Sequence, residues 1–522
     1  MDTNNLKEFK SPPISYWLTS TEKTNYPILD KNTNVDIAII GGGMVGILCA
    51  YQLQKEGFNI AILESGNILE STTAHTTAKL TSQHSLIYDK IKSQMGNELA
   101  KQYATANETA ISELKKIIKE NNIECDYSTQ SAFIYTQEDS YIKKLEDEAK
   151  VASSLGIQAH LVDEIPFPIP IKSAMVFENQ AQFHPRKFLL SLAEKISNKG
   201  VQIFEKSRAI ELEEENNKYV INTPQGKKII AEKVIIASHY PFYNKKAMYY
   251  SRIYVQRSYI LGIKAKEKYP GGMYINAEDP PRSLRSLPAE TGELILVVGE
   301  NHKTGQGKDT NKHYESLVDF ANEVFTVESI PYRWSTHDCM TLDGLPYVGH
   351  FDSETPNMYI ATGFGKWGMT NSIASSMILR DLIINNENPW KDVYNPSRKT
   401  IASSTKNFIV QNANVASQLI DGKLSNLPEE VDIKPGEGKV LEVDGERAGA
   451  FRDENGKLHL VNTTCTHMGC ELNWNSAERS WDCPCHGSRF TYEGEIIQGP
   501  AVKPLSFDRD VNTLKKLINE DF

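Results

Sequence analysis

The sequence predicts an α/β domain that binds a dinucleotide, followed by a small all-β module. Three observations carry this expectation. A strand, a glycine turn, a helix and a second strand follow one another between Val35 and Glu64. From Gly436 the texture changes to short strands with frequent glycines. Four of the seven cysteines fall between Cys465 and Cys485. The chain has 522 residues, enough for two to four domains. At 40% hydrophobic and 24% charged residues it has an ordinary globular composition.

Residues 1–34 are polar and rich in Pro, Asn and Thr, and read as an extended lead-in. Val35 to Ile40 is β-branched and apolar and reads as a buried strand. Met44 to Glu56 follows as a helix and Phe58 to Leu63 as a second strand. Residues 86–122 carry a helical pattern. Residues 130–180 alternate short strands with a charged helix, and Pro166, Pro168 and Pro170 mark a loop. Lys187 to Asn198 reads as a helix, 201–240 and 250–300 as strands, Tyr359 to Thr362 as a strand and Met369 to Asn385 as a helix. The expected division is a large α/β domain over 35–390, a helical connector over 391–425 and the all-β module over 426–522. A helix returns at about Leu514.

The net charge of −10 argues against nucleic acid or an anionic membrane as partner. The most apolar stretch, Val35 to Tyr51, is broken by four glycines and is too short to span a bilayer. It also lacks the basic flank of a signal peptide, so a cytoplasmic location is expected. Cys49, Cys125 and Cys339 are scattered singly and read as buried apolar fillers.

Gly41, Gly43 and Gly46 form GxGxxG directly after a strand and at the opening of a helix, with Met44 and Val45 in its first turn. Gly41 permits the tight turn, Gly43 lets the backbone approach a pyrophosphate, and Gly46 lets helix and strand pack closely. The helix N-terminus then faces the phosphates. Glu64 ends the next strand, followed by Ser65, and suits the ribose hydroxyls of adenosine. Thr73 and His75 lie in the Thr- and Ala-rich loop beyond. The position of the motif at the start of a long domain favours FAD over NAD. A second GxGxxG, Gly363, Gly365 and Gly368, also sits between strand and helix, but no strand ending in an acid follows it. It is expected to bring backbone amides to the flavin ring, with Phe364 and Met369 beside it.

Cys465 and His467 are followed, after fifteen residues, by Cys483 and His486. A Rieske centre needs two thiolates on one iron and two imidazoles on the other. Two loops that each offer one Cys and one His deliver that set. Zinc fingers instead tend to pair Cys with Cys and His with His.

The segment around Glu64, Asp343–Gly349 (DGLPYVG) and Tyr359–Gly365 (YIATGFG) resembles the D-amino-acid-oxidase-like FAD oxidoreductases, among them glycine and sarcosine oxidases. The resemblance spans roughly 35–390. It implies FAD on the Rossmann-like unit, a mixed-sheet substrate domain roofing the flavin, and oxidation of a C–N bond. In glycine-oxidase-like proteins a cation after the GF pair binds the substrate carboxylate, and Lys366 matches that place. A second cation usually precedes the DG pair, where this chain has Asp338. That departure points to a substrate with a cationic amine. In dimethylglycine-dehydrogenase-like relatives a histidine in the loop after the acid is bonded covalently to flavin. His75 falls near that register, but its surroundings differ and a non-covalent cofactor is expected.

The C-terminal module, over about 430–510, resembles the Rieske proteins of cytochrome bc complexes. That resemblance implies a disulfide between Cys470 and Cys485 tying the two cluster loops, and a third covering loop at Gly499–Ala501. Ser488 matches a serine that donates to a bridging sulfide. Phe490 stands where those proteins have a tyrosine that donates to a ligand sulfur, so a somewhat lower potential is expected.

The leading expectation is an FAD-dependent amine or amino-acid dehydrogenase or oxidase that passes electrons singly through the cluster to an unidentified acceptor. The alternatives are a reductase in which the cluster feeds the flavin, and a non-catalytic redox sensor or carrier. A ring-hydroxylating oxygenase needs a further iron held by two His and a carboxylate. No histidine pair outside the Rieske loops has close helical spacing.

Overall fold

The apolar run after Thr33 becomes a central strand of an eight-stranded mixed sheet whose middle strands run in parallel. In the computed structural model, every residue is described except 1–8, 10, 244–246, 291, 308, 399–401, 426, 429–431, 444–445 and 507–522. Along the chain the elements that position the sites are β1 (Thr33–Ile40), α1 (Met44–Gln54), β2 (Ile60–Leu63), β3 (Lys228–Ile236), β4 (Ile253–Ala265), β5 (Gly292–Lys303), β6 (Val327–Thr341), β7 (Met358–Thr362), α2 (Gly368–Asn385) and α3 (Ala402–Leu424).

β1 pairs in parallel with β2 and β3, and β3 pairs in parallel with β7. Both faces are covered, which is why these strands are nearly continuous Val, Ile, Leu and Ala. α1 is buried from Met44 to Leu53, and α2 packs beside it. The last helix of the flavoprotein domain therefore returns to the first. Gly46 makes the helix–strand contact possible, since a Cβ there would stand 1.9 Å from the Gly41 carbonyl oxygen.

A second, nine-stranded mixed sheet carries β4 between β5 and β6, both antiparallel to it. Met273–Asn276 joins Ser128–Thr136 in parallel in the same sheet. Successive side chains alternate between its faces. On β4 and β6, Ser258 and Asp338 turn to one side. Val255, Arg257 and Cys339 turn to the other, with Val255 opposite Cys339 and Arg257 opposite His337 in register.

The lead-in departs from the extended, polar expectation. Ser15 caps a short helix, Tyr16–Thr19, and Trp17 is buried with its Nε1 donating to the Thr76 carbonyl at 2.7 Å. Two large aromatic rings, Tyr16 and Trp17, supply enough apolar surface to anchor this segment against the loop that follows Thr73.

The expected connector holds a short helix, Lys391–Tyr394, and the long helix α3, ending at Leu424. Beyond it lie a three-stranded and a four-stranded antiparallel sheet, around a core that includes Leu472, Trp481 and Phe490. The helix expected at about Leu514 lies outside the described residues. This module sits directly on the second sheet of the flavoprotein domain. Gly305 (φ +71°) allows backbone to meet backbone, because a Cβ there would stand 2.6 Å from the Pro484 nitrogen. Gly487 (φ +78°) lets the cluster loop close on the Val255 side chain of β4, where a Cβ would stand 2.7 Å from the Val255 Cβ. Between the two bodies, Arg257 and Arg489 face Glu478 at 3.6 and 3.7 Å, and Asp482 completes a charge-balanced buried cluster.

Candidate active site and iron–sulfur centre

A cavity of about 760 Å³ runs from the Gly41 turn to the second sheet. That size suits a dinucleotide-scale ligand. At one end Gly41 (φ +115°) turns against the Ala237 carbonyl, where any Cβ would collide at 2.5 Å. Gly43 stands at the N-terminus of α1 with only Thr73 Oγ1 near, so a phosphate can approach its backbone. Thr73 Oγ1 accepts from the Met44 amide at 3.2 Å. Glu64 is oriented by the turn itself: the Gly42 and Gly66 amides donate to its two oxygens at 2.8 and 2.9 Å, and Ser65 Oγ donates at 2.9 Å. Oε1 accepts two of these bonds, and Oε2, which accepts one, keeps a lone pair for a ribose hydroxyl. Val45, Ser65 and His75 also border the cavity. His75 Nδ1 is tied to the Ser71 carbonyl at 2.7 Å. These residues fit FAD: a phosphate-approachable glycine turn, a helix N-terminus and an acid at the next strand end meet in one cavity.

At the other end, Phe364, Gly365, Gly368 and Met369 border the cavity, as expected of the second glycine motif. Gly363 does not border it. Its φ of +74° turns the chain against Thr341, whose Cγ2 a Cβ would meet at 2.3 Å. The Gly365 amide is also spent, donating to the Cys339 carbonyl at 2.9 Å. The amides open to the cavity are therefore those of the first turn of α2, from Gly368.

Lys366 and Asp338 both border the cavity, but as partners and not as two separate charges. Lys366 Nζ lies 2.8 Å from Asp338 Oδ2 and 2.6 Å from Ser258 Oγ, and Ser258 Oγ donates to the same carboxylate at 2.8 Å. Thr336 Oγ1 donates to Oδ1 at 3.2 Å. A substrate carboxylate or ammonium has to share this pair. Asp343 of the DG motif is structural, held by Arg398 at 2.6 and 2.7 Å.

Lys79 was not marked by any sequence motif. It borders the cavity, with Nζ bonded to Ser283 Oγ and 3.4 Å from the Tyr274 carbonyl. Burial, reinforced by Arg285, pulls its ammonium down to about 7. The module also contributes a wall: Glu478, Arg489 and residues Ile496 to Val502 face the cavity. No local pattern could announce that, because it depends on how two domains dock.

In the module, the four expected ligands sort by type. The Cys465 and Cys483 thiols are paired, and that pairing holds Cys465 below the usual thiol value while it pushes Cys483 above it. The His467 and His486 rings stand 5.0 Å apart at 87°. Burial holds His467 to about 4 and His486 to about 3, so both are neutral at pH 7, the form in which an imidazole can bind a metal. Their Nδ1 atoms are buried without a hydrogen-bond partner. Two thiols on one side and two orphaned imidazole nitrogens on the other fit a 2Fe–2S cluster of Rieske type. Cys470 and Cys485 form a disulfide beside it. The Ala501 amide donates to Ser488 Oγ at 3.1 Å, drawing the covering loop onto the cluster loop.

Residues 36–382 match the FAD dependent oxidoreductase family, and residues 425–515 match the Rieske 2Fe–2S domain. The chain belongs to the FAD dependent oxidoreductase family and carries a C-terminal Rieske domain; it is an oxidoreductase that binds FAD and a 2Fe–2S cluster. A relative in Bacillus subtilis, YhfW, by name a Rieske 2Fe-2S iron-sulfur protein, is 44% identical over 95% of this chain and 97% of its own. The gamma-glutamylputrescine oxidoreductase of Escherichia coli is 22% identical over 71% of this chain and 88% of its own. The glycine oxidase structure from Geobacillus kaustophilus superposes with a TM-score of 0.60 at 16% identity, over 71% of this chain and all of its own, and so shares the fold. No helix among the described residues is long and apolar enough to cross a membrane.

Proposed function

We propose that this protein oxidises the C–N bond of an amine or amino-acid-like substrate and passes the electrons through its own Rieske centre to an external acceptor. The observation that carries this reading is the shared wall. Gly499 to Ala501 border the flavin cavity, and the Ala501 amide is bonded to Ser488 in the cluster loop. Bound FAD supplies a two-electron acceptor and the cluster a one-electron carrier.

The chain's own residues then have distinct tasks. An amine must lose its ammonium proton before its C–N bond can be oxidised. Lys79, neutral above about pH 7, is the group in the cavity suited to take that proton. The Asp338–Lys366 pair presents both signs at one point of the wall, which suits an amine that also carries a carboxylate or carbonyl. The buried Arg257–Glu478–Arg489 contact holds the module on the sheet, so the transfer needs no domain swing.

Anaerobic mixing with a panel of amines and amino acids tests this. Bleaching of the flavin band by one class, followed by the magnetic-resonance signal of a reduced Rieske centre, supports it. No bleaching by any substrate, with flavin reduced through the cluster by an electron donor, establishes the reverse flow instead.

A further inference from the structure

Among the described residues, and apart from those assigned above to FAD and the cluster, one group of side chains has the composition of a metal site. His239, His337 and Cys339 place a ring nitrogen, a ring nitrogen and a sulfur all within 4.8 Å of one another. His337 and Cys339 lie two residues apart on β6, so the pleat turns them to the same face. His239 follows β3 and is held at φ +65°, a left-handed backbone that a non-glycine residue rarely adopts.

Three details distinguish this group from a satisfied polar core. Both ring nitrogens of His337 are buried without a hydrogen-bond partner, and the residue is 1% exposed. Such orphaned groups in a folded protein call for a ligand, a water or an ion. His239 Nε2 donates to the His337 carbonyl at 2.7 Å, which directs the lone pair of Nδ1 away from that bond. This is the arrangement by which metal-bound histidines are oriented. The Tyr240 hydroxyl is likewise buried and unpartnered, and it lies in the field of Cys339. Cys339, read from sequence as an apolar filler, thus has two imidazoles for neighbours.

We propose that His239, His337 and Cys339 bind a single zinc ion, separate from the Rieske cluster, with the Tyr240 side completing its surroundings. Two neutral nitrogens and one thiolate are a borderline-soft donor set of the kind zinc takes. Zinc binds nitrogen at about 2.0–2.1 Å and sulfur at about 2.3 Å, so side-chain rotation brings the three donors to one ion. Binding releases the Cys339 proton and leaves the metal's charge state unchanged. The place gives the ion a consequence. His239 and His337 border the flavin cavity, while Cys339 pairs with Val255, which packs on Gly487 of the cluster loop. A cation there lies between the two redox sites and favours the reduced form of the cluster.

Full-length protein, grown with added zinc and purified without affinity metal, is analysed for metals by mass spectrometry. About one zinc per chain beside the cluster iron is expected. His337→Ala and Cys339→Ser should lose it while keeping FAD and the Rieske signal, with the cluster potential shifted downward. Protein grown with cobalt should show a cobalt–thiolate absorption band that persists in Cys483→Ser and is lost in Cys339→Ser. Zinc below about a tenth per chain in the parent protein overturns the proposal, as does zinc retained by both variants. Should the variants fail to fold, absence of the cobalt band from parent protein overturns it equally.

Discussion

Lys366 Nζ and Asp338 Oδ2 stand 2.8 Å apart across the cavity wall, with Ser258 bridging them. Because Asp338 is buried, removing Lys366 strands its carboxylate. Lys366→Met should raise the apparent KM by about ten- to a hundredfold, from about 1.5–3 kcal/mol for a charged hydrogen bond. Asp338→Asn should shift preference away from cationic amines. The double variant should cost less than the sum of the two, because each single change already breaks the pair. Additive effects in steady-state kinetics would show that the two residues act separately.

Lys79 makes activity depend on pH. Its ammonium is lowered to about 7, so it is charged below that pH and neutral above it. If it takes the substrate's proton, kcat/KM should rise as pH passes through about 7 and level off beyond. Lys79→Met should remove that limb and lower the plateau by about 10²–10⁴-fold. A profile unchanged in the variant would leave the limb to the substrate's own amine.

The contact of Gly305 with Pro484 offers a test of the docked arrangement. An added methyl meets backbone at 2.6 Å, and φ is +71°. Gly305→Ala should cost about 1–3 kcal/mol and slow reduction of the cluster by substrate, while flavin bleaching keeps its rate. Stopped-flow absorbance at the two cofactors' separate bands measures both. Equal slowing of both would place the effect in the flavoprotein domain itself.

Cys483→Ser or His467→Ala should abolish the Rieske signal and leave flavin bound, since these residues lie in the module while the Gly41–Gly46 turn and Glu64 lie in the flavoprotein domain. An intact spectrum in either variant would remove that residue from the ligand set.

Acid precipitation should release the flavin, and the released cofactor should be FAD. Colour remaining in the washed precipitate would indicate a covalent bond, and His75→Ala would be the variant to examine, since the ring borders the cavity.

Sequence by itself determined the parts whose chemistry is local. The Gly41–Gly46 turn and Glu64 are constrained by backbone geometry within one βαβ unit, and two short loops contain all four expected cluster ligands. Such features are legible because neighbours along the chain are neighbours in space. Tertiary structure alone decided the rest. Lys366 and Asp338 are marked by resemblance, yet their mutual neutralisation depends on where α2 returns against β6. Lys79 carries no motif, and only burial beside Arg285 lowers its charge. Trp17 anchors a lead-in whose average composition is polar. The meeting of His239, His337 and Cys339 joins residues 98 or more positions apart for His239, because the segment after β3 in one sheet packs on β6 of the other. Desolvation and charge pairing are set by which surfaces meet, and that is a property of the folded chain and not of any segment of it.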